Sequence, residues 1–208
     1  MTLPRLYVIA DAGVLLSRGV TLLTFTTELR AAGVTLLQYR DKDAGPQAVL
    51  RNAELILEAF AGSRTTLLMN DRSDLAVIAG WDGVHVGQED LPPEDARLVL
   101  GVNKVIGLST HTEAQVIAAD AGAADYVAIG PVFATGTKLD AEPVVGLEGV
   151  RRARALTRKP LVAIGGITRE NARSVIGAGA DSVAVISGLF VPGESVEKVA
   201  RDFLEILR

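Results

Sequence analysis

The chain has 208 residues, 49% apolar and 22% charged, with no Cys and a formal net charge of −4. That balance is typical of a folded globular protein, and the length fits a single domain over residues 1–208. It leaves no run near the ~18 apolar residues of a membrane-spanning helix, no excess of positive charge to hold nucleic acid, and no thiolate for disulfides, nucleophilic catalysis or sulfur-bound zinc.

The N-terminus, MTLPRLYVIADAG, enters an apolar run at once, without a basic region and a small-residue cleavage site. A cytoplasmic location is therefore expected. LYVIA is a short continuous apolar run, as in a strand buried on both faces. Seven more such runs follow: VTLLQYR at 34–40, TTLLMND at 65–71, DGVHVG at 82–87, KVIGLS at 104–109, DYVAIG at 125–130, LVAIGG at 161–166 and SVAVIS at 182–187.

Helical spacing fills the gaps. TLLTFTTELRAAG sets Leu22, Phe25, Leu29 and Ala32 on one face and stops at Gly33. PQAVLRNAELILEAFAG stops at Gly62, TEAQVIAADAG at Gly122 and TRENARSVIGAG at Gly179. Gly is the usual residue just past a helix end. SVEKVARDFLEILR reads as an amphipathic terminal helix.

Eight strands alternating with about eight helices imply a parallel sheet. The even repeat, with no long insertion, favours a compact (β/α)₈ TIM barrel over an open doubly wound sheet. The units share no common motif, which argues against a solenoid. In a barrel the active site sits at the C-terminal ends of the strands. The polar residues are distributed accordingly, with Asp11 after the first strand and Gln88 after the fourth among them.

Gln38, Arg40 and Lys42 are spaced by two, so an extended chain turns all three to one side. An amide and two cations there suit a phosphate or diphosphate; a plainly charged surface loop is the competing reading. Asn70–Asp71 and Gly87–Asp90 close the third and fourth strands. Asp71 and Asp90 can share one Mg²⁺, which takes one or two protein carboxylates and completes its shell with water and substrate oxygens. Taken alone, each Asp suits a cap of the following helix better than a metal ligand.

Thr135, Thr137 and Lys138 lie in a loop with little helical pattern after the sixth strand, and such loops often fold over a ligand. Gly165–Gly166 and Ile186–Ser187–Gly188 follow the seventh and eighth strands, where phosphate-binding barrels often present backbone N–H groups. Of the two histidines, His85 lies within an apolar strand and reads as a satisfied core residue. His111 serves either the site or the start of the next helix. Ser109 lacks the Gly-x-Ser-x-Gly surroundings of a hydrolase nucleophile.

In chain order, LYVIAD, QYRDK, NDRSDLA, DGVHVGQEDLP, IGLSTHT, DYVAIGPVFATGTK, AIGGIT and AVIS resemble the thiamine-phosphate synthase family over nearly the whole length. Ala10, Ala134 and Ser182 are small departures from that family's pattern. The resemblance implies a TIM barrel that joins a hydroxymethylpyrimidine diphosphate to a thiazole phosphate, with Mg²⁺, giving thiamine phosphate and pyrophosphate through a dissociative step. It assigns Gln38, Arg40, Lys42, Asn70, Ser109 and Lys138 to the pyrimidine diphosphate. Thr135, Thr137, Gly166, Ile186 and Ser187 are assigned to the thiazole phosphate, and Asp71 and Asp90 to the metal. The implied partners are small molecules, with neither nucleic acid nor membrane. A thiazole tautomerase from a sister family would need the thiazole-phosphate pocket but not the diphosphate and metal groups. A non-catalytic phosphate-ligand-binding regulator is the other alternative.

Overall fold

The computed structural model describes residues 2–136 and 143–208. Its eight strands are β1 (Leu6–Asp11), β2 (Leu36–Arg40), β3 (Thr66–Asn70), β4 (Gly83–Val86), β5 (Val105–Thr110), β6 (Tyr126–Ile129), β7 (Leu161–Ile164) and β8 (Ser182–Val185). Each pairs in parallel with the next, and β8 pairs with β1, closing the barrel in sequence order. All eight apolar runs are strands, because both of their faces are covered.

The period-two alternation of a strand separates two cores. Tyr7, Ile9, Leu36, Leu68, Tyr126, Ala128, Val162 and Ala184 pack inside the barrel. Their outward neighbours, such as Val8, Leu37, Val84, Val127 and Val183, pack beneath the helices.

Between strands run α1 (Ala12–Ser17), α2 (Leu22–Ala32), α3 (Pro46–Ala59), α4 (Ser73–Ile78), α5 (Pro93–Leu100), α6 (Glu113–Ala121), α7 (Gly146–Leu156) and α8 (Ala172–Gly177), followed by the terminal α9 (Val196–Ile206). Local chemistry sets their ends. Gly33 takes φ 86 at the end of α2. Thr112 and Gln115 form a capping box at the start of α6. The described residues hold one helix more than the alternation predicts, because β1 leads into two. Asp11 caps α1 through Val14 N–H at 2.9 Å, and Thr21 then starts α2. A short 3₁₀ turn, Ser187–Leu189, follows β8.

Candidate functional site

A cavity of about 490 Å³ opens at the C-terminal ends of the strands. Its size suits a small-molecule site. It is lined by Gln38, Arg40, Lys42, Asn70, Asp71, Asp90, Ser109, Thr135, Gly166, Ile186 and Ser187. These are all the sequence-derived site residues within the described part of the chain. Thr137 and Lys138 lie outside the described residues.

The β2 end supplies the triplet. Gln38 is 1% exposed, and its Nε2 has no hydrogen-bond partner among the described residues. A buried amide donor without an acceptor is costly, so a ligand acceptor at this wall of the cavity would satisfy it. Arg40 pairs with Asp11, whose other oxygen caps α1. Lys42 Nζ lies 3.4 Å from Asp71 Oδ2. Both cations are therefore already engaged with carboxylates, which the period-two pattern did not reveal.

Neither metal-assigned Asp caps a helix. The residues preceding α4 and α5 are Arg72 and Pro92, without side-chain caps. Asp71 stands at the end of β3 with φ 60, an uncommon conformation for a non-Gly residue, and its N–H donates to the His85 carbonyl at 2.8 Å. Asp90 Oδ2 accepts the Gly87 N–H at 2.7 Å, which closes the turn after β4. Burial, and next the neighbouring Asp90, push the Asp71 carboxyl above its ordinary range. The charges lining the cavity among the described residues are Arg40 and Lys42 against Asp71, Glu89 and Asp90. Two cations face three carboxylates, a poor host for a diphosphate without further positive charge. Two facing carboxylates beside Arg40 and Lys42 fit Mg²⁺, which binds through one or two carboxylates plus substrate oxygens.

At the next strand, β5, Ser109 Oγ lies 2.8 Å from His85 Nε2. His85 Nδ1 lies 2.8 Å from Tyr126 Oη, which in turn lies 3.0 Å from Tyr7 Oη. His85 is thus both a partnered interior residue and part of the cavity wall. His111 likewise lines the cavity, and its Nδ1 lies 2.7 Å from the Gly130 carbonyl. A carbonyl can only accept, so Nδ1–H donates there. The start of the next helix belongs to Thr112 instead.

On the opposite wall the β7 loop turns through Gly165 at φ 104 and Gly166 at φ 62. A Cβ on Gly166 would stand 2.6 Å from the Ala134 carbonyl. This glycine is therefore required first by the close approach of the β6 loop. One on Gly188 would crowd the Ile167 carbonyl, so the loops after β7 and β8 also abut.

Sequence reasoning missed Asp11 as the partner of Arg40, and it missed the Tyr7–Tyr126–His85 chain. The tyrosines sit in runs that read as uniformly apolar. Period two within each strand does place Tyr7, His85 and Tyr126 on inward positions, and that signal was present.

A family model described as Thiamine monophosphate synthase matches residues 6–189. A thiamine-phosphate synthase of Koribacter versatilis is 53% identical over 100% of this chain and 97% of its own. One from Methanosarcina mazei is 42% identical over 97% of this chain and 82% of its own. The solved structure of a thiamine phosphate pyrophosphorylase from Pyrococcus furiosus superposes with a TM-score of 0.86 at 32% identity, covering 98% of this chain and 95% of that one.

Proposed function

This chain belongs to the thiamine monophosphate synthase family and is a transferase that makes thiamine phosphate; from that premise we propose how its rim divides the work. The substrates are a hydroxymethylpyrimidine diphosphate and a thiazole phosphate. The observation that carries this reading is the charge balance of the cavity. Groups for an anion and groups for a cation stand side by side at the β2, β3 and β4 ends, as a metal-bound diphosphate requires.

Gln38, Arg40, Lys42, Asn70 and Ser109 hold the pyrimidine diphosphate, with Lys138 joining them from the β6 loop. Asp71 and Asp90 hold Mg²⁺. When bound, that ion neutralises charge on the departing pyrophosphate. Arg40, Lys42 and Lys138 stabilise the same developing charge, an electrostatic contribution aimed at the transition state. Thr135, Thr137, Gly166, Ile186 and Ser187 seat the thiazole phosphate so that its ring nitrogen faces the pyrimidine methylene. The methylene C–O bond breaks with its electron pair leaving on pyrophosphate. The nitrogen lone pair forms the new C–N bond. No protein nucleophile is required, and the chain's part is proximity and charge. Multiply charged substrates do not cross a bilayer unaided. The reading therefore includes work in the cytoplasm.

An assay supplying both substrates and Mg²⁺, and following thiamine phosphate and pyrophosphate together, tests the proposal. Equal release of both products is expected. Rearrangement of the thiazole phosphate alone would favour a tautomerase, and binding without turnover would favour a regulator.

A further inference from the structure

The barrel interior carries a polar chain whose hydrogen-bond count fixes its direction. Tyr7 Oη, Tyr126 Oη, the His85 ring and Ser109 Oγ are joined by three contacts of 3.0, 2.8 and 2.8 Å. His85, Gly107 and Tyr126 are register partners on β4, β5 and β6. A Cβ on Gly107 would collide with the Tyr126 phenol and with His85 Nδ1. The missing side chain is what lets the two rings meet, nearly parallel at 26°, across β5.

Tyr7 and Tyr126 are 1% and 0% exposed, and burial keeps both phenols protonated. Each phenol and the serine bring one hydrogen, and a neutral imidazole brings one more. If His85 carries its hydrogen on Nδ1, it donates to Tyr126, and one of the two buried phenol hydrogens is left over. If it carries the hydrogen on Nε2, Tyr7 donates to Tyr126, Tyr126 donates to Nδ1, and Nε2–H donates to Ser109. Only the second arrangement uses every buried donor, and orphaned buried donors are costly. The spare hydrogen is then that of Ser109, at the cavity wall.

We propose that His85, held as its Nε2–H tautomer by Tyr126, is a positioning residue that commits Ser109 to donate a hydrogen bond to the substrate. The inference rests on the assignment of Ser109 to the pyrimidine diphosphate. Its selectivity follows from hydrogen-bond polarity. The Ser109 hydrogen is donated to a ligand lone pair, whether a ring nitrogen or a phosphate oxygen, and is left unpaired where a ligand presents an N–H or O–H instead. Gln38 Nε2, also a donor unused among the described residues, reinforces that polarity.

The chain holds only two histidines, so ¹⁵N NMR of the labelled intact protein resolves both rings. His85 is expected to show a protonated Nε2 and an unprotonated Nδ1, and His111 the reverse. His85→Asn assigns the signals. Tyr126→Phe removes only a hydroxyl. It should raise the population of the Nδ1–H tautomer and increase KM for the pyrimidine diphosphate up to roughly tenfold, the scale of one lost hydrogen bond, with kcat little changed. Tyr7→Phe should leave the tautomer as it was, because Tyr126 still donates to Nδ1. Titration with pyrophosphate alone and with the pyrimidine alcohol alone then shows which part of the substrate accepts from Ser109. Weaker binding of one of them to Tyr126→Phe identifies it. A wild-type His85 protonated on Nδ1, or on both nitrogens, overturns the proposal even if the enzyme is fully active. A normal Nε2–H signal in a protein that makes no thiamine phosphate would leave the relay standing and refute the functional assignment instead.

Discussion

The carboxylates of Asp71 and Asp90 are neighbours across the ends of β3 and β4, and the Asp71 carboxyl is held above its ordinary range by burial first and by Asp90 second. Lys42, 54% exposed and 3.4 Å away, offsets only part of this. Such a pair is unfavourable until a cation joins it. EDTA is expected to abolish turnover, and added Mg²⁺ to restore it. Asp71→Asn should raise the melting temperature of metal-free protein, because it removes one of two like charges and Asn tolerates the positive φ. The same change should remove the Mg²⁺-dependent gain in melting temperature that binding gives the wild type. Full activity without divalent metal would refute the two-carboxylate site.

Gln38 separates stability from binding. Its Nε2 is buried without a partner among the described residues, and such a group costs about 1–3 kcal/mol. Gln38→Met keeps the volume and removes the polar group. Unfolding in urea should show a gain of about 1 kcal/mol, at the low end of that range. Calorimetry should show weaker binding of the pyrimidine diphosphate. Loss of stability would mean that the amide is satisfied in the free protein.

The barrel was legible because both of its periodicities are strong. Eight apolar runs separated by helical segments leave little choice of architecture; α2 stops at Gly33, where φ 86 excludes most other residues, and α6 at Gly122, whereas α3 and α8 end before Gly62 and Gly179, at Phe60 and Ala178. The rim was legible for the same reason, since strand ends are easy to locate. What stayed hidden was pairing between strands distant in sequence. Arg40 looked like a free cation until β1 brought Asp11 beside it. Nothing in the run KVIGLS marks Gly107 as the place where the Tyr126 and His85 rings meet. Asp71 and Asp90, taken alone, read as caps before ligands, and only the helix starts at Ser73 and Pro93 removed the first option.

Gly107→Ala tests the interior packing. The added methyl would meet the Tyr126 ring and His85 Nδ1. Overpacking of this kind costs about 1–3 kcal/mol. Chemical denaturation should show that loss, and substrate binding should weaken because Ser109 loses its partner. Unchanged stability would mean that the rings can part freely.

Arg169, on the loop after β7, bonds Glu194 at 2.5 Å and also pairs with Asp202 of α9. Lys198 pairs with the same two carboxylates at 2.6 and 2.8 Å. Arg169, and then Lys198, pull the Glu194 carboxyl down to about 2 from an ordinary 4.5. A depressed carboxyl stabilises the fold above its unfolded value, and that contribution fades as pH falls through the folded one. The stability difference between wild type and Arg169→Met should therefore be full near neutrality and shrink from about pH 4.5 towards 2. Urea titrations at several pH values measure it. A difference that holds constant down to pH 2 would assign the effect to packing of the arginine stem.

The proposed function divides the cavity into two anion seats at different strand ends. Arg40 and Lys42 stand at the β2 end, while Thr135 and Ser187 follow β6 and β8. Lys42 is half exposed and reaches the cavity without filling any of the core, so Lys42→Ala should leave the melting temperature nearly unchanged. It should weaken the pyrimidine diphosphate about tenfold, as loss of one charge-assisted contact would, and leave the thiazole phosphate alone. Thr135→Ala should do the reverse. Gly166 is the wrong probe for this division, since a Cβ there strikes the Ala134 carbonyl and disturbs the loop itself. Calorimetry of each variant with each substrate, using an unreactive analogue when both are present, gives four affinities. Two variants that lose the same substrate and keep the other would mean that the walls form one seat, and the facing arrangement of the reacting nitrogen and methylene would fall with it.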